Sequence, residues 1–485
     1  MFVGTASHVG KSVITAGFCR LFRQDGYHPA PFKAQNMSLN SFVTPDGLEI
    51  GRAQAVQAEA AGVACHTDMN PVLLKPTTDT SSQVVVLGKP VGNQSAYEYF
   101  MQNDRRELFR EVTAAFDRLS QRFSPVVMEG AGSISELNLK NRDITNMRMA
   151  LYAGAATYLI GDIDPGGIFG SLYGTMALLT PPERACIRGI IINKFRGDGR
   201  LFTEGRRMIE ELCGVPVIGV LPYFRDIFIE EEDSVARKQR QASAGPGKVN
   251  IAVVLLHRLS NFTDFDNLER DPRIHLFYTD QPAHLAQADI IILPGSKNTV
   301  EDLIALKSSG MAAAISHARN EGKTVIGVCG GYQMMGEWIE DPDAVESTRG
   351  REAGLALLPV QTILRREKTT VRQRFQHRGA TGTCHGYEIH MGETFPAAGT
   401  PTQPVNHFAD GRPEGCFLHA GCWGTYLHGI FDNAPVVNAL LAAYSTEPAG
   451  SPDYAQHKDE QYNKLADLLR AHLNIAQIYH DLTIN

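Results

Sequence analysis

Short apolar and β-branched runs recur through the first half of the chain, at residues 84–87, 126–128, 156–160, 190–192 and 217–220, with helical stretches between them. Strands buried on both faces and joined by crossover helices give this alternation, so it predicts a parallel sheet covered by helices. The pattern stops between residues 229 and 248. There Glu230-Glu231-Glu232-Asp233 and then Ser243-Ala244-Gly245-Pro246-Gly247 take over, a text that predicts a linker. Strand-like runs restart at 249–256, 290–293 and 324–328, the last two each entering a glycine-bearing turn. The final stretch carries Leu465, Leu468, Leu469 and Leu473 at helical spacing, which predicts a docking helix rather than a third catalytic unit. The expected organisation is a two-domain α/β chain: residues 1–229, a linker over 230–248, a second α/β domain over 249–445, and a helical tail over 446–485.

Composition narrows the partners. With Lys+Arg at 46 against Asp+Glu at 53, the net charge of −7 provides no global basic field for nucleic acid or an anionic membrane, so any anionic substrate must meet local cations. No run is long and apolar enough to cross a bilayer, and the chain enters a glycine-rich loop at once, which leaves no room for a secretion signal; a cytoplasmic protein is expected. The cysteines (Cys19, Cys65, Cys186, Cys213, Cys329, Cys384, Cys416 and Cys422) are scattered without CxxC knuckles and predict reduced thiols. Cys416 and Cys422 beside His419 and His428 match no usual zinc spacing.

The loop Gly4-Thr5-Ala6-Ser7-His8-Val9-Gly10-Lys11-Ser12 lies between an apolar start and a helix whose inward face is Val13, Ile14, Gly17, Phe18 and Leu21. Backbone N–H groups of such a loop, with the helix N-terminus, bind phosphate; a lysine neutralises the outer phosphates and a serine hydroxyl can ligate Mg²⁺. Gly4, Thr5, Gly10, Lys11 and Ser12 are therefore the nucleotide-binding candidates. The loop is one residue longer than the usual P-loop, a variant that resembles dethiobiotin synthetase and its relatives. Only Met1-Phe2-Val3 precede it, so short a lead-in that the natural strand is expected to begin upstream. Glu129, after the apolar run 126–128, stands at the strand edge where ligands of open α/β sheets gather, and is a Mg²⁺ candidate beside Ser12. Asn193 and Lys194, at another strand end, are candidates for contact with the nucleotide. The amide-rich PFKAQNMSLNS segment, with EIGRAQ and DMNPVLLKP after it, suits a polar, many-armed substrate. It supplies Lys33, Gln35, Asn36, Asn40, Arg52 and Lys75, the three cations as partners for carboxylates.

Gly327-Val328-Cys329-Gly330-Gly331 follows a strand and precedes a helical stretch, which is the form of a nucleophile elbow with sulfur in place of oxygen. A free thiol, with a pKa of about 8.5, is only a few per cent thiolate at neutral pH, so a nucleophilic cysteine needs a partner. His428, in Gly424-Thr425-Tyr426-Leu427-His428-Gly429, is the candidate base. The N–H of Gly330 and that of Gly295, in Pro294-Gly295-Ser296-Lys297, are candidates for an oxyanion hole.

Taken together, GTASHVGKS, PFKAQNMSLNS, EIGRAQ, DMNPVLLKP, GDIDPGGIF, INKFRGD, LPGSKNT, GVCGGYQMMG, GYEIHMGET and GTYLHGIF, in this order and over essentially the whole chain, resemble the cobyric acid synthases of cobalamin biosynthesis. The resemblance implies an N-terminal P-loop-type parallel sheet with flanking helices and a C-terminal class I glutamine amidotransferase-like α/β domain. It also implies ATP- and Mg²⁺-dependent amidation of the b, d, e and g carboxylates of a corrinoid, adenosylcobyrinic acid a,c-diamide, with nitrogen from glutamine. No tightly bound prosthetic group is implied, and the oligomeric state is left open. Cys329 occupies the family's nucleophile position and His428 its histidine position. Most triad-type amidotransferases carry a Glu two residues after the histidine; here that residue is Ile430, which leaves the orienting group unassigned, with Glu388 and His390 as near-site candidates. The nearest rival is the a,c-diamide synthase of the same pathway, and a nucleotide-switch ATPase is the rival from another class, one that leaves the Cys329 elbow unexplained.

Overall fold

A computed structural model describes residues 1–77, 80–95, 98–99, 105–230, 244–378, 380–445 and 454–483. The N-terminal half is built on parallel strands in the order Phe2–Gly4, Thr157–Asp162, Ile187–Phe195, Val217–Pro222. Phe2 also bridges to Glu129, which joins the parallel pair Val126–Met128 and Ala30–Phe32 to the other edge. These strands are short and apolar because helices cover both faces; Val3, Leu159, Ile160, Ile190 and Ile191 are fully buried. Phe2–Gly4 is only three residues long, yet it lies in the interior of the sheet and stacks Phe2 on Phe18 at 4.7 Å.

One expectation is corrected here. Residues 84–87 do not belong to the parallel sheet. The strand Ser81–Val86 pairs antiparallel with Val72–Pro76 and Lys89–Ser95 in a separate four-stranded sheet that also holds Gln35–Met37. An apolar run is equally at home in a hairpin, and periodicity alone does not separate the two.

The C-terminal half repeats the parallel plan in the order Ile274–Thr279, Val249–Val254, Ile290–Leu293, Thr324–Val328, Cys422–Thr425, with Cys416–His419 antiparallel at the edge. A second sheet contains the long hairpin Val360–His377 and Cys384–Pro396. That hairpin reaches the N-terminal half: Tyr387 and Ile389 form an apolar cluster with Val43, and Arg372 Nε donates to the Val43 carbonyl at 2.7 Å.

Most of the expected linker, residues 231–243, lies outside the described residues. Glu230, its first residue, is buried and paired with Arg52 Nε at 2.6 Å. The tail forms two helices, Tyr454–His472 and Ile475–Thr483. Leu465, Ala466 and Leu469 join the core around helix Lys11–Gln24, and Lys458 pairs with Glu59 at 2.7 Å. Leu469 is fully buried, so Leu469→Ala should destabilise the N-terminal half by about 2–5 kcal/mol. A lower midpoint in calorimetry checks this; an unchanged midpoint would show that the tail is not part of that core.

Candidate active sites

The strand Phe2–Gly4 delivers the chain to a turn over residues 5–10, and helix Lys11–Gln24 begins directly after it. Gly10 sits at φ +100°, and a Cβ there would lie 2.2 Å from Asn193 Nδ2, so only glycine fits. Asn193 Nδ2 donates to the Val9 carbonyl at 2.8 Å and Lys194 Nζ to the His8 carbonyl at 2.8 Å, while Lys194 also pairs with Asp162 at 2.7 Å. The two residues expected to meet the nucleotide thus brace its loop, although Lys194 also lines the cavity beyond. Lys11 Nζ lies across the loop, donating to the carbonyls of Ala6 and Gly132, each at 2.9 Å.

Ser12 Oγ donates to Glu129 Oε1 at 2.8 Å, and the same carboxylate receives Lys33 Nζ at 2.8 Å and Gln57 Nε2 at 2.6 Å. Burial opposes ionisation of Glu129, but Lys33 and these hydrogen bonds win and hold its carboxyl below the usual range. An ionised carboxylate beside a hydroxyl, both hard oxygen donors, fits Mg²⁺, which takes most of its shell from phosphate and water. Among the described residues no cluster of three or more His, Cys, Asp or Glu forms an all-protein metal cage.

Next to this loop lies a cavity of about 1620 Å³, lined by Lys11, Ser12, Lys33, Gln35, Asn36 and Glu129 among others. Four of its cations, Arg105, Arg106, Lys140 and Arg148, were not read from the sequence, and two of them are set by ring contacts. Arg105 stands over the Tyr99 ring at 4.4 Å and donates to Gln35 Oε1 at 3.2 Å, and Arg148 stands over Phe109 at 3.9 Å. Neither follows a strand or a glycine turn, so no local signal marked them.

Asn40, Arg52 and Lys75 do not line the cavity, contrary to the expectation that they meet substrate. Arg52 is paired with Glu230. Lys75 Nζ is held by Glu49 Oε1 at 2.7 Å and Ser41 Oγ at 2.8 Å, and Asn40 Oδ1 accepts from Phe262 N. The physical reason is burial: both cations are about 5% exposed or less, and a desolvated cation must be neutralised by the fold itself.

In the C-terminal half the strand Thr324–Val328 ends at Cys329, whose φ of 52° and ψ of −111° are rare for a residue with a side chain. Strain at a strand-to-helix turn is the mark of a nucleophile elbow. Cys329 N donates to the Thr425 carbonyl at 2.8 Å. The neighbouring strand Cys422–Thr425 therefore delivers His428 to the same sheet edge. His428 is 1% exposed, with its Nδ1 2.7 Å from Asp264 Oδ2. Asp264 Oδ1 accepts from Gly429 N at 2.9 Å, and Tyr387 stacks on the imidazole at 5.4 Å. Burial disfavours the charged ring, but Asp264 and the charge on the Cys329 sulfur outweigh it and raise the His428 pKa to about 10. A Cβ on Gly295 would stand 3.2 Å from His428 Cε1, and one on Gly330 2.9 Å from Ser296 N, so the two oxyanion candidates and the base converge.

Asp264 therefore holds the imidazole, the contact for which the sequence assigned no residue. Glu388 bonds Gln373 at 2.8 Å instead, and His390 stacks on Tyr426 at 3.8 Å. The usable signal was positional: Asp264 follows the run 249–256, at the carboxyl edge where ligands gather.

Residues 1–235 match the CobQ/CobB/MinD/ParA nucleotide binding domain, and residues 250–436 match the CobB/CobQ-like glutamine amidotransferase domain. Over its full length the chain is 59% identical to a cobyric acid synthase of Bacteroides fragilis, covering 100% of this chain and 98% of that one. The chain belongs to the cobyric acid synthase family. A cobyric acid synthase of Parabacteroides distasonis is 57% identical over 99% of this chain and 98% of its own, and one of Syntrophobacter fumaroxidans 46% over 99% and 97%. Membership of the cobyric acid synthase family makes the chain an enzyme of cobalamin biosynthesis, a ligase with a glutamine amidotransferase domain. The amidotransferase domain sets aside the nucleotide-switch reading. No helix among the described residues is long and apolar enough to cross a membrane.

Because the His428 pKa is raised above its ordinary value of 6.5 to about 10, the stability that the His428 ion pair contributes is fully present below about pH 6.5 and is lost as pH rises through about 10, while the ring itself stays protonated until near the upper value. Glutamine hydrolysis should therefore keep its rate to near pH 10 before its basic limb. Asp264→Asn should cut kcat about a hundredfold or more and bring that limb to lower pH. An Asp264→Asn enzyme with the wild-type profile would remove Asp264 from the site.

Proposed function

We propose that this chain converts adenosylcobyrinic acid a,c-diamide to cobyric acid, amidating the b, d, e and g carboxylates with ATP and with ammonia drawn from glutamine. The carrying observation is that a phosphate loop opening on a large, cation-lined cavity and a buried Cys329–His428–Asp264 set sit in two halves of one chain that meet over a buried interface. These substrates belong to the cytoplasm.

A free carboxylate resists amine attack until one oxygen becomes a leaving group. ATP supplies it: the γ-phosphoryl group moves to the carboxylate and yields an acyl phosphate and ADP. Lys11 and the N–H groups of the 5–10 loop hold the phosphates, and Ser12 and Glu129 would hold Mg²⁺, which neutralises charge on the phosphate oxygens. Lys33, Arg105 and Arg148 offer positive partners for the substrate's several carboxylates.

Glutamine is opened in the other half. The Cys329 thiolate attacks the carboxamide carbon, and the oxyanion forms between Gly330 and Gly295. His428, held as an imidazolium by Asp264, gives its proton to the departing nitrogen, so that ammonia leaves and a thioester remains. Water then attacks with His428 as base, releasing glutamate. Ammonia attacks the acyl phosphate, forming the amide as inorganic phosphate leaves; ammonia protonated by bulk water no longer does so, and a shielded route between the halves is therefore part of this reading.

Cys329→Ala should abolish amidation driven by glutamine and leave amidation driven by ammonium. Retained glutamine-driven turnover would exclude Cys329. Lys11→Ala should abolish amidation from both nitrogen sources, by at least about a hundredfold, while leaving folded protein. Mass spectrometry of the product from adenosylcobyrinic acid a,c-diamide should show four amidations. Addition of none would overturn the substrate and return the question to the a,c-diamide synthase reaction.

A further inference from the structure

The 259–265 loop that carries Asp264 is clasped by the other half of the molecule. Asn261, at φ +50°, accepts through Oδ1 from Ser41 N at 2.9 Å. Asn40 returns the contact, its Oδ1 accepting from Phe262 N at 3.2 Å. Both bonds are buried, and the residues on either side belong to different domains.

On one side, Asn40 and Ser41 come three and four residues after the end of the strand Gln35–Met37, whose residues line the nucleotide-domain cavity. The segment is internally tied: Asn40 N donates to Ser38 Oγ at 3.0 Å, Arg52 N to the Asn40 carbonyl at 3.1 Å, and Ser38 N to the Leu74 carbonyl at 3.0 Å. These bonds connect the cavity wall to the clasp. On the other side, Asp264 stands three residues beyond Asn261 and fixes His428. Ser260 N, one residue before Asn261, donates to the Gly295 carbonyl at 3.0 Å. The same loop thus touches the base's partner and an oxyanion segment. Tyr387 adds a parallel contact, stacking on His428 while its hydroxyl donates to the Ser41 carbonyl at 3.4 Å.

We propose that Asn40 and Asn261 are positioning residues of the glutaminase, a reciprocal amide clasp through which an acceptor in the nucleotide-domain cavity sets the orientation of Asp264 and His428. The idea rests on Asp264 being the orienting group. Glutamine is then hydrolysed quickly only when the cavity wall is held in its occupied form, which prevents ammonia from being made without an acceptor. Neither asparagine touches glutamine or the reacting atoms; both act through the loop.

The test measures glutamate release by the full-length enzyme, with and without adenosylcobyrinic acid a,c-diamide plus ATP. Asn261→Gly removes the side-chain amide while permitting the left-handed backbone. It should lower the acceptor-stimulated kcat about tenfold, towards the unstimulated rate, with the KM for glutamine within about twofold. Ammonium-driven amidation by Asn261→Gly should remain within about twofold of wild type, which shows that the fold and the cavity survive. Asn40→Ala should lower stimulated glutamate release to the same extent, and the double variant should fall no further than either single one, because each breaks one bond of a two-bond clasp that transmits only when both are made. The proposal is overturned if wild-type hydrolysis is indifferent to the acceptor, if stimulation persists in Asn261→Gly, if its ammonium-driven rate falls in parallel, or if the two substitutions multiply. A wild-type glutaminase rate in Asp264→Asn would instead overturn the underlying assignment of Asp264.

Discussion

His428 and Asp264, held 2.7 Å apart with almost no exposure to water and with the ring's pKa raised to about 10, are the demand around which the molecule is arranged. Two charges in such a place are tolerable only together: deleting one partner of a buried pair costs about 3–5 kcal/mol, because the other is left without solvent or counter-ion. The chain meets the demand with a loop, 259–265, that returns Asp264 to the sheet edge carrying Cys329 and His428, and with a second bond from Gly429 N to the same carboxylate. It then covers the pair with Tyr387, a residue of the long hairpin that also packs on Val43 of the other half. The seam between domains is thereby also the lid of the glutaminase site.

The same physics recurs along that seam. Glu49 accepts Lys75 from its own half and Lys368 from the hairpin of the other; burial would raise its carboxyl, and the two lysines instead hold it well below the usual range. Lys368 is itself pulled down to about 7 by burial, against the pull of Glu49. Arg52, Glu230, Lys458 and Tyr454 form a second buried set that ties the tail to the first domain. Charges paired across distant segments fix one relative arrangement of the halves more sharply than apolar contact does, because a slip leaves a desolvated charge unmatched. A fixed seam is what transfer of ammonia between two sites requires.

Much of the fold was legible because it is written locally. The parallel strands announce themselves as short apolar runs, and the phosphate loop and the Cys329 elbow are continuous glycine-bearing segments whose conformation follows from their composition. Residues 84–87 misled because an apolar run does not say which sheet it joins. The long hairpin passed unnoticed because much of it is half-exposed or set against the other domain, so Val360–His377 alternates too weakly to stand out. Asn40, Arg52 and Lys75 were read as substrate ligands from their chemistry, and only the three-dimensional arrangement shows that protein groups already occupy them. Asp264 was hidden for the complementary reason: its partner is 164 residues away, and nothing beside it in sequence reports a buried imidazole.

The protonation state of His428 is the most direct test of this account. With ¹⁵N-histidine incorporated into the full-length protein and the His428 signals assigned by their loss in His428→Gln, ring-nitrogen shifts can be followed from pH 6 to 11. The account predicts a doubly protonated ring at pH 8 that releases its proton near pH 10. A ring already neutral at pH 8, titrating near the ordinary histidine value of about 6.5, would contradict it.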